Sequence, residues 1–125
     1  MKMQNDKEKF KESFKQRLYT FVLKMIEFLD SLPKNNVSNR LGDQLLRSGT
    51  SILSNYIEGQ AAGSKKEFTH YFQISLKSSN ESKVWFALLR DSKRAKPEEV
   101  KWFLDELNEF SNILASSILT LKGKR

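Results

Sequence analysis

The chain of 125 residues has no cysteine, one histidine, two prolines and five glycines. Without cysteine there can be neither a disulfide nor a thiolate metal site, and the composition suits a reducing compartment. A single histidine leaves little for metal chemistry. Glu67-Phe68-Thr69-His70 has the Glu-x-x-His spacing of di-iron bundles, but such a site needs a second copy of the motif and two further glutamates. The expectation is therefore no metal and no cofactor. No apolar run approaches the ~18 residues that cross a bilayer. Met1–Phe10 is polar, with no apolar core after its lysines, so no signal peptide and a cytoplasmic location are expected. Strand signals are nearly missing, and every long segment repeats with the helical period instead.

What is present suits a single charge-rich helical domain spanning residues 1–125, with 38% hydrophobic and 30% charged residues. A domain of this size buries roughly 68% of the surface its unfolded chain exposes, enough for a self-sufficient core. Four helices are predicted, at about 6–32, 37–58, 64–94 and 97–122. In the first, Phe14, Leu18, Phe21, Met25, Phe28 and Leu32 alternate steps of four and three, a heptad seam closed by Pro33. The second hides Leu41, Leu45, Ile52 and Tyr56, broadened by Leu46 and Leu53. Gly42 and Gly49 share one of its stripes, as close-approach points for a neighbouring helix or as a hinge.

Gly59 is placed as a left-handed residue just past the second helix. Ser64 then caps the third, with Glu67 completing a capping box and Phe68 opening its apolar stripe. Ser75, Ser78, Ser79 and Ser82 fall on that same inner face and give it a narrow waist, with hydroxyls able to bond back to the preceding turn. Pro97 with Glu98 and Glu99 suits the first turn of the fourth helix, and Gly123 its end. Short loops between amphipathic helices predict an all-α, up-down-up-down antiparallel four-helix bundle.

The net charge is +7, and it is uneven. Ser64–Lys96 carries 8 basic and 3 acidic side chains, whereas Pro97–Arg125 carries 4 and 5. A positive field concentrates polyanions without specifying one. Lys83, Arg90 and Arg94 follow one another at seven and four residues, so they line an edge of the third helix. Lys93 and Lys96 crowd its far end, and Lys65 stands at its start. These six are the candidate nucleic-acid contacts, as point charges or guanidinium forks on phosphates. Lys7, Lys11 and Lys15 form a second row, diluted by Glu8 and Glu12. The competing explanation is a solvated helix face. Trp85 and Trp102 could stack bases, or anchor the core or an interface.

The middle of the chain carries a motif: Arg47, Ser51-Ile52, Asn55, Glu58-Gly59, Ser64, Glu67-Phe68, Ser78 and Glu81, with Leu32-Pro33-Lys34 before it. This order and spacing resembles the four-helix bundle proteins encoded in intervening sequences of bacterial 23S ribosomal RNA genes, some of them called ribosomal proteins. Two departures are Tyr56-Ile57 in place of Ile-Ala and Lys77 in place of glycine. The resemblance implies an up-down bundle, often assembled as a five-fold ring. It is also similar to the accessory protein of diversity-generating retroelements, a basic pentamer that binds nucleic acid and a reverse transcriptase. No catalytic residues come with it. Asn55 and Glu58 lack a nucleophile or a poised base, and are expected to bond the loop after Gly59 and an arginine such as Arg47.

These readings converge on a non-enzymatic homo-oligomer associated with RNA or DNA, in a ribosomal RNA or reverse-transcriptase context, without a membrane or a small-molecule substrate. The alternative is a structural or protein-interaction oligomer whose subunit contacts use Gly42, Gly49 and the aromatic residues.

Overall fold

A computed structural model describes residues 5–123 of the protein. Four helices follow one another: α1 (Asp6–Asp30), α2 (Asn36–Gln60), α3 (Lys65–Asp91) and α4 (Pro97–Leu121), with no strand among the described residues. Each N-terminus is set by local chemistry. Asn5, Asn35 and Ser64 accept hydrogen bonds from the backbone N–H groups of Glu8 (2.8 Å), Ser38 (2.9 Å) and Glu67 (3.1 Å), relieving donors that a first turn leaves unpaired. Pro97 opens α4, where the Glu99 carboxylate reaches back to the Lys96 N–H at 3.1 Å. Gly123 ends it with φ +70°.

The helices form an up-and-down bundle in chain order around the core. Neither α1 with α3 nor α2 with α4 brings Cα atoms within 8 Å, so the sequential neighbours and the α1–α4 pair make up the walls. The α2–α3 pair is the closest, because serines line it. Ser48 and Ser82 hydroxyls lie 2.7 Å apart, Ser75 donates to the Ile52 carbonyl (2.8 Å) and Ser78 to the Ser51 hydroxyl (2.9 Å). Ser79 meets Ser111 of α4 at 2.9 Å. Of the four waist serines only Ser82 bonds back along its own helix, to the Ser78 carbonyl. The others bond across helices. Among the described residues no buried side-chain polar atom lacks a partner, so the seam avoids the penalty of an orphaned group.

The α1–α4 wall is filled by rings. Phe21 packs edge-on against Phe103 (5.5 Å) and Phe110 (5.3 Å), and Phe14 against Phe110 (5.6 Å). Phe21, Phe86 and Phe110 are fully buried, each worth about 1.5–3 kcal/mol of transfer free energy.

Several expectations need correction. Gly59 lies inside α2, not beyond it, and is buried. Its missing side chain matters because a Cβ there would come 2.6 Å from Phe72 Cδ1. Leu46 is exposed rather than buried. Helix α3 ends three residues before Arg94. Gly49 is a close-approach point, since a Cβ there would overlap the Met25 sulfur.

Candidate nucleic-acid interface

The corner between α3 and α4 begins with the way α3 stops. Lys93 takes φ +64°, the one non-glycine with positive φ among the described residues. The Arg94 N–H donates to the Leu89 carbonyl (2.9 Å) and the Lys93 N–H to that of Arg90 (3.0 Å), the bond pair that closes a helix through a left-handed residue. This turn gathers Arg90, Lys93, Arg94 and Lys96 around an open concavity of about 700 Å³, together with Asp91 and Glu99.

The four cations differ in what they leave free. Arg90 grips Asp91 with Nε and Nη2 at 2.8 and 3.3 Å, and this pair holds the carboxyl below its ordinary range. Arg94 is half-buried, and its Nε donates to the Ser38 hydroxyl of α2 at 3.1 Å. Lys93 and Lys96 are exposed and make no ion pair among the described residues.

The two remaining candidates stand apart. Lys83 is half-buried two turns before Arg90, where loss of water pushes its ammonium pKa down. Lys65 is exposed at the opposite end of the same helix, roughly 38 Å from Arg90 at 1.5 Å per residue. It cannot share a contact with the corner.

On α1, Lys15 pairs with Glu12 at 3.4 Å, and Arg17 bonds Glu106 (2.6 Å) and Glu109 of α4. The Glu106 bond is the main reason the Arg17 guanidinium pKa is raised. Trp102 stacks on Phe21 at 6.1 Å, with the Lys24 ammonium 5.4 Å from its ring centre. Trp85 donates to Glu81 at 2.9 Å. Both indoles are tied into the subunit.

The motif residues resolve into a seam along α2 and α3. Arg47 pairs with Glu81 rather than Glu58. Asn55 donates to the Ser51 carbonyl (3.0 Å) and hydroxyl (2.9 Å), not to the loop after Gly59. Ser64 caps α3, while the Glu67 carboxylate accepts from the Gly63 N–H at 3.4 Å, one residue earlier than a capping box requires. The Glu58 side chain is exposed and makes no hydrogen bond among the described residues. His70 is exposed, and the described residues contain no group of three or more His, Cys, Asp or Glu able to hold a metal ion. The Arg94–Ser38 bond was not foreseen; a serine one turn after a polar loop carries no sign of its partner.

Fold and motif together define an antiparallel four-helix bundle with a basic corner, and no described helix is long and apolar enough to cross a membrane. The chain belongs to the 23S rRNA-intervening sequence protein family, whose model matches residues 11–116. A search of curated protein sequences finds no match. A similar fold occurs in the crystal structure of a protein of unknown function from the S23 ribosomal protein family of Bacteroides thetaiotaomicron. It has a TM-score of 0.77 and 28% identity, covering 83% of this chain and 96% of that one.

Proposed function

We propose that this protein is a non-enzymatic accessory factor that associates with RNA or DNA through the α3–α4 corner. The observation that carries this is the gathering of Arg90, Lys93, Arg94 and Lys96 around one open concavity, with Lys93 and Lys96 making no ion pair among the described residues. Phosphate oxygens suit this site better than base edges, because two free ammonium groups supply charge without a fixed hydrogen-bond pattern. Family membership supports a ribosomal RNA context. The retroelement likeness adds a reverse transcriptase as a proposed protein partner, to be sought by co-purification.

The test is fluorescence anisotropy with labelled RNA and duplex DNA across a salt series. Affinity should fall steeply as salt rises. Lys93→Gln with Lys96→Gln should flatten the salt slope by about one per cation removed, on every sequence alike. Lys65→Gln, at the other end of α3, serves as control. Unchanged slopes in the double variant would discard the corner.

A second reading, assembly with further copies of the chain, is favoured by a different face. Tyr19, Leu23 and Ile26 repeat at four and three residues on α1, and Leu46 and Ile57 stand on α2; all five are 41–53% exposed. Half-buried Val22, Leu29 and Leu53 pack against the core beside them. Contiguous apolar surface of this kind marks contact sites.

A further inference from the structure

At the end of the bundle remote from the basic corner, the wall between α1 and α4 opens. The opening leads into a cavity of about 670 Å³, within the roughly 300–1,000 Å³ that ligand sites occupy. Its walls are mixed, with aromatic rings on one part and Gln60, Asn112 and Thr120 among the polar side chains. Phe14, Phe68 and Phe72 line it, and the last two rings stack 4.0 Å apart. Tyr56 closes the floor, its hydroxyl donating to the Lys11 carbonyl at 3.3 Å and accepting from Gln60 at 2.9 Å.

The space exists because α4 brings small residues to a layer that elsewhere holds rings. Ser116 and Ser117 line the cavity, and the Ser117 hydroxyl bonds back to the Ile113 carbonyl at 2.9 Å. That serine therefore adds neither bulk nor an unpaired group. Two ammonium groups, Lys7 and Lys11, stand one turn apart at the rim. Among the described residues no carboxylate lines the site and neither lysine is ion-paired.

We propose that this cavity binds a small amphipathic anion, a single hydrocarbon chain with a carboxylate head. The chain lies against the phenylalanine rings, and the head meets Lys7 and Lys11. The phenylalanine rings reward an oily chain by burial; Lys7 and Lys11, the charged side chains among the described lining residues, favour a negative head. The site is independent of the nucleic-acid reading, since it shares no residue with the corner.

The probe is cis-parinaric acid, a fluorescent long-chain carboxylic acid, titrated into the full chain below its aggregation threshold. Saturable one-to-one binding is expected. Ser117→Leu fills the cavity and should abolish binding while the helical circular dichroism and melting curve persist; Ser116→Leu repeats the test should that variant not fold. Lys7→Gln with Lys11→Gln should weaken the acid roughly tenfold, the loss of a charge-assisted contact, and leave an uncharged alcohol of equal chain length unaffected. Lys93→Gln with Lys96→Gln should bind the acid as the parent does. The proposal falls if binding does not saturate, or if the leucine variants bind as well as the parent. It also falls if only vesicles of anionic phospholipid are bound, or if the cavity proves to be covered by a second copy whose dissociation the leucine variants cause.

Discussion

Lys93 sits in a backbone conformation that costs an L-residue about 1–2 kcal/mol and that glycine adopts freely. It ends α3 at φ +64°, beside Lys96, and its ammonium makes no ion pair among the described residues. Strain retained at a charged surface position points toward a use for the charge. Replacing Lys93 with glycine should relieve the strain, and the net gain should be about 0.5–1 kcal/mol once glycine's greater freedom in the unfolded chain is subtracted. Urea denaturation should therefore show a higher midpoint for Lys93→Gly, while the same variant binds nucleic acid with a flatter salt slope. A variant that is stabilised and binds as before would leave Lys93 with no part in the interface. Gly123, which ends α4 at φ +70°, shows the ordinary solution to the same geometry, and the sequence announced it. Nothing in the sequence announced that a lysine would take this role in the α3–α4 turn, because several residues there could have served.

At the scale of helices, the α2–α3 contact is close because both surfaces are small. Gly59 admits the Phe72 ring, and the serines replace side-chain bulk with hydrogen bonds between helices. Gly59→Ala would push a methyl group into a rigid buried ring, and should cost about 1–3 kcal/mol as overpacking. Gly42 provides the contrast. A Cβ there meets Leu29 Cδ2 at 3.5 Å, ordinary contact, so Gly42→Ala should gain up to about 1 kcal/mol of helix propensity. Paired denaturation curves check both, and equal effects would mean that neither contact governs the packing. The heptad seams made the helices and their inner faces legible. The small waist of α3 was legible too, from serines on an apolar stripe. Their partners were not: a hydroxyl bonds along its own helix as readily as across, and only the neighbour's distance selects between the two. The same holds for Arg47. Its spacing to Glu58 within α2 was visible, while Glu81 came alongside only when α3 packed.

For the whole molecule, two groups of described cations stand at opposite ends of the bundle with different surroundings. At the corner Arg90, Lys93, Arg94 and Lys96 stand beside Asp91 and Glu99 around one concavity; at the other end Lys7 and Lys11 border one lined by phenylalanine rings. The face of α1 and α2 that carries Tyr19, Leu23, Ile26, Leu46 and Ile57 is neither. If copies of the chain meet there, light scattering should give a mass that is a multiple of the monomer, and Ile26→Glu should reduce it to one chain without lowering the melting temperature. The exposed position makes that variant cheap for the subunit and costly for a contact, where the charge would lose its water. A parent protein that is already monomeric would remove the second reading.

The sequence by itself determined four helices, their order, three of the features that begin or end them, and which side of each is apolar. Those properties depend on residues within a turn or two of one another, which composition and period record directly. Only the tertiary structure decided that Arg94 bonds Ser38 of α2, that Gly59 serves packing rather than a turn, and that a ligand-sized cavity opens between α1 and α4. Each of these depends on the distance between residues far apart in the chain. That distance is set by how tightly serine, glycine and phenylalanine let neighbouring helices approach, a sum over many contacts that no local pattern contains.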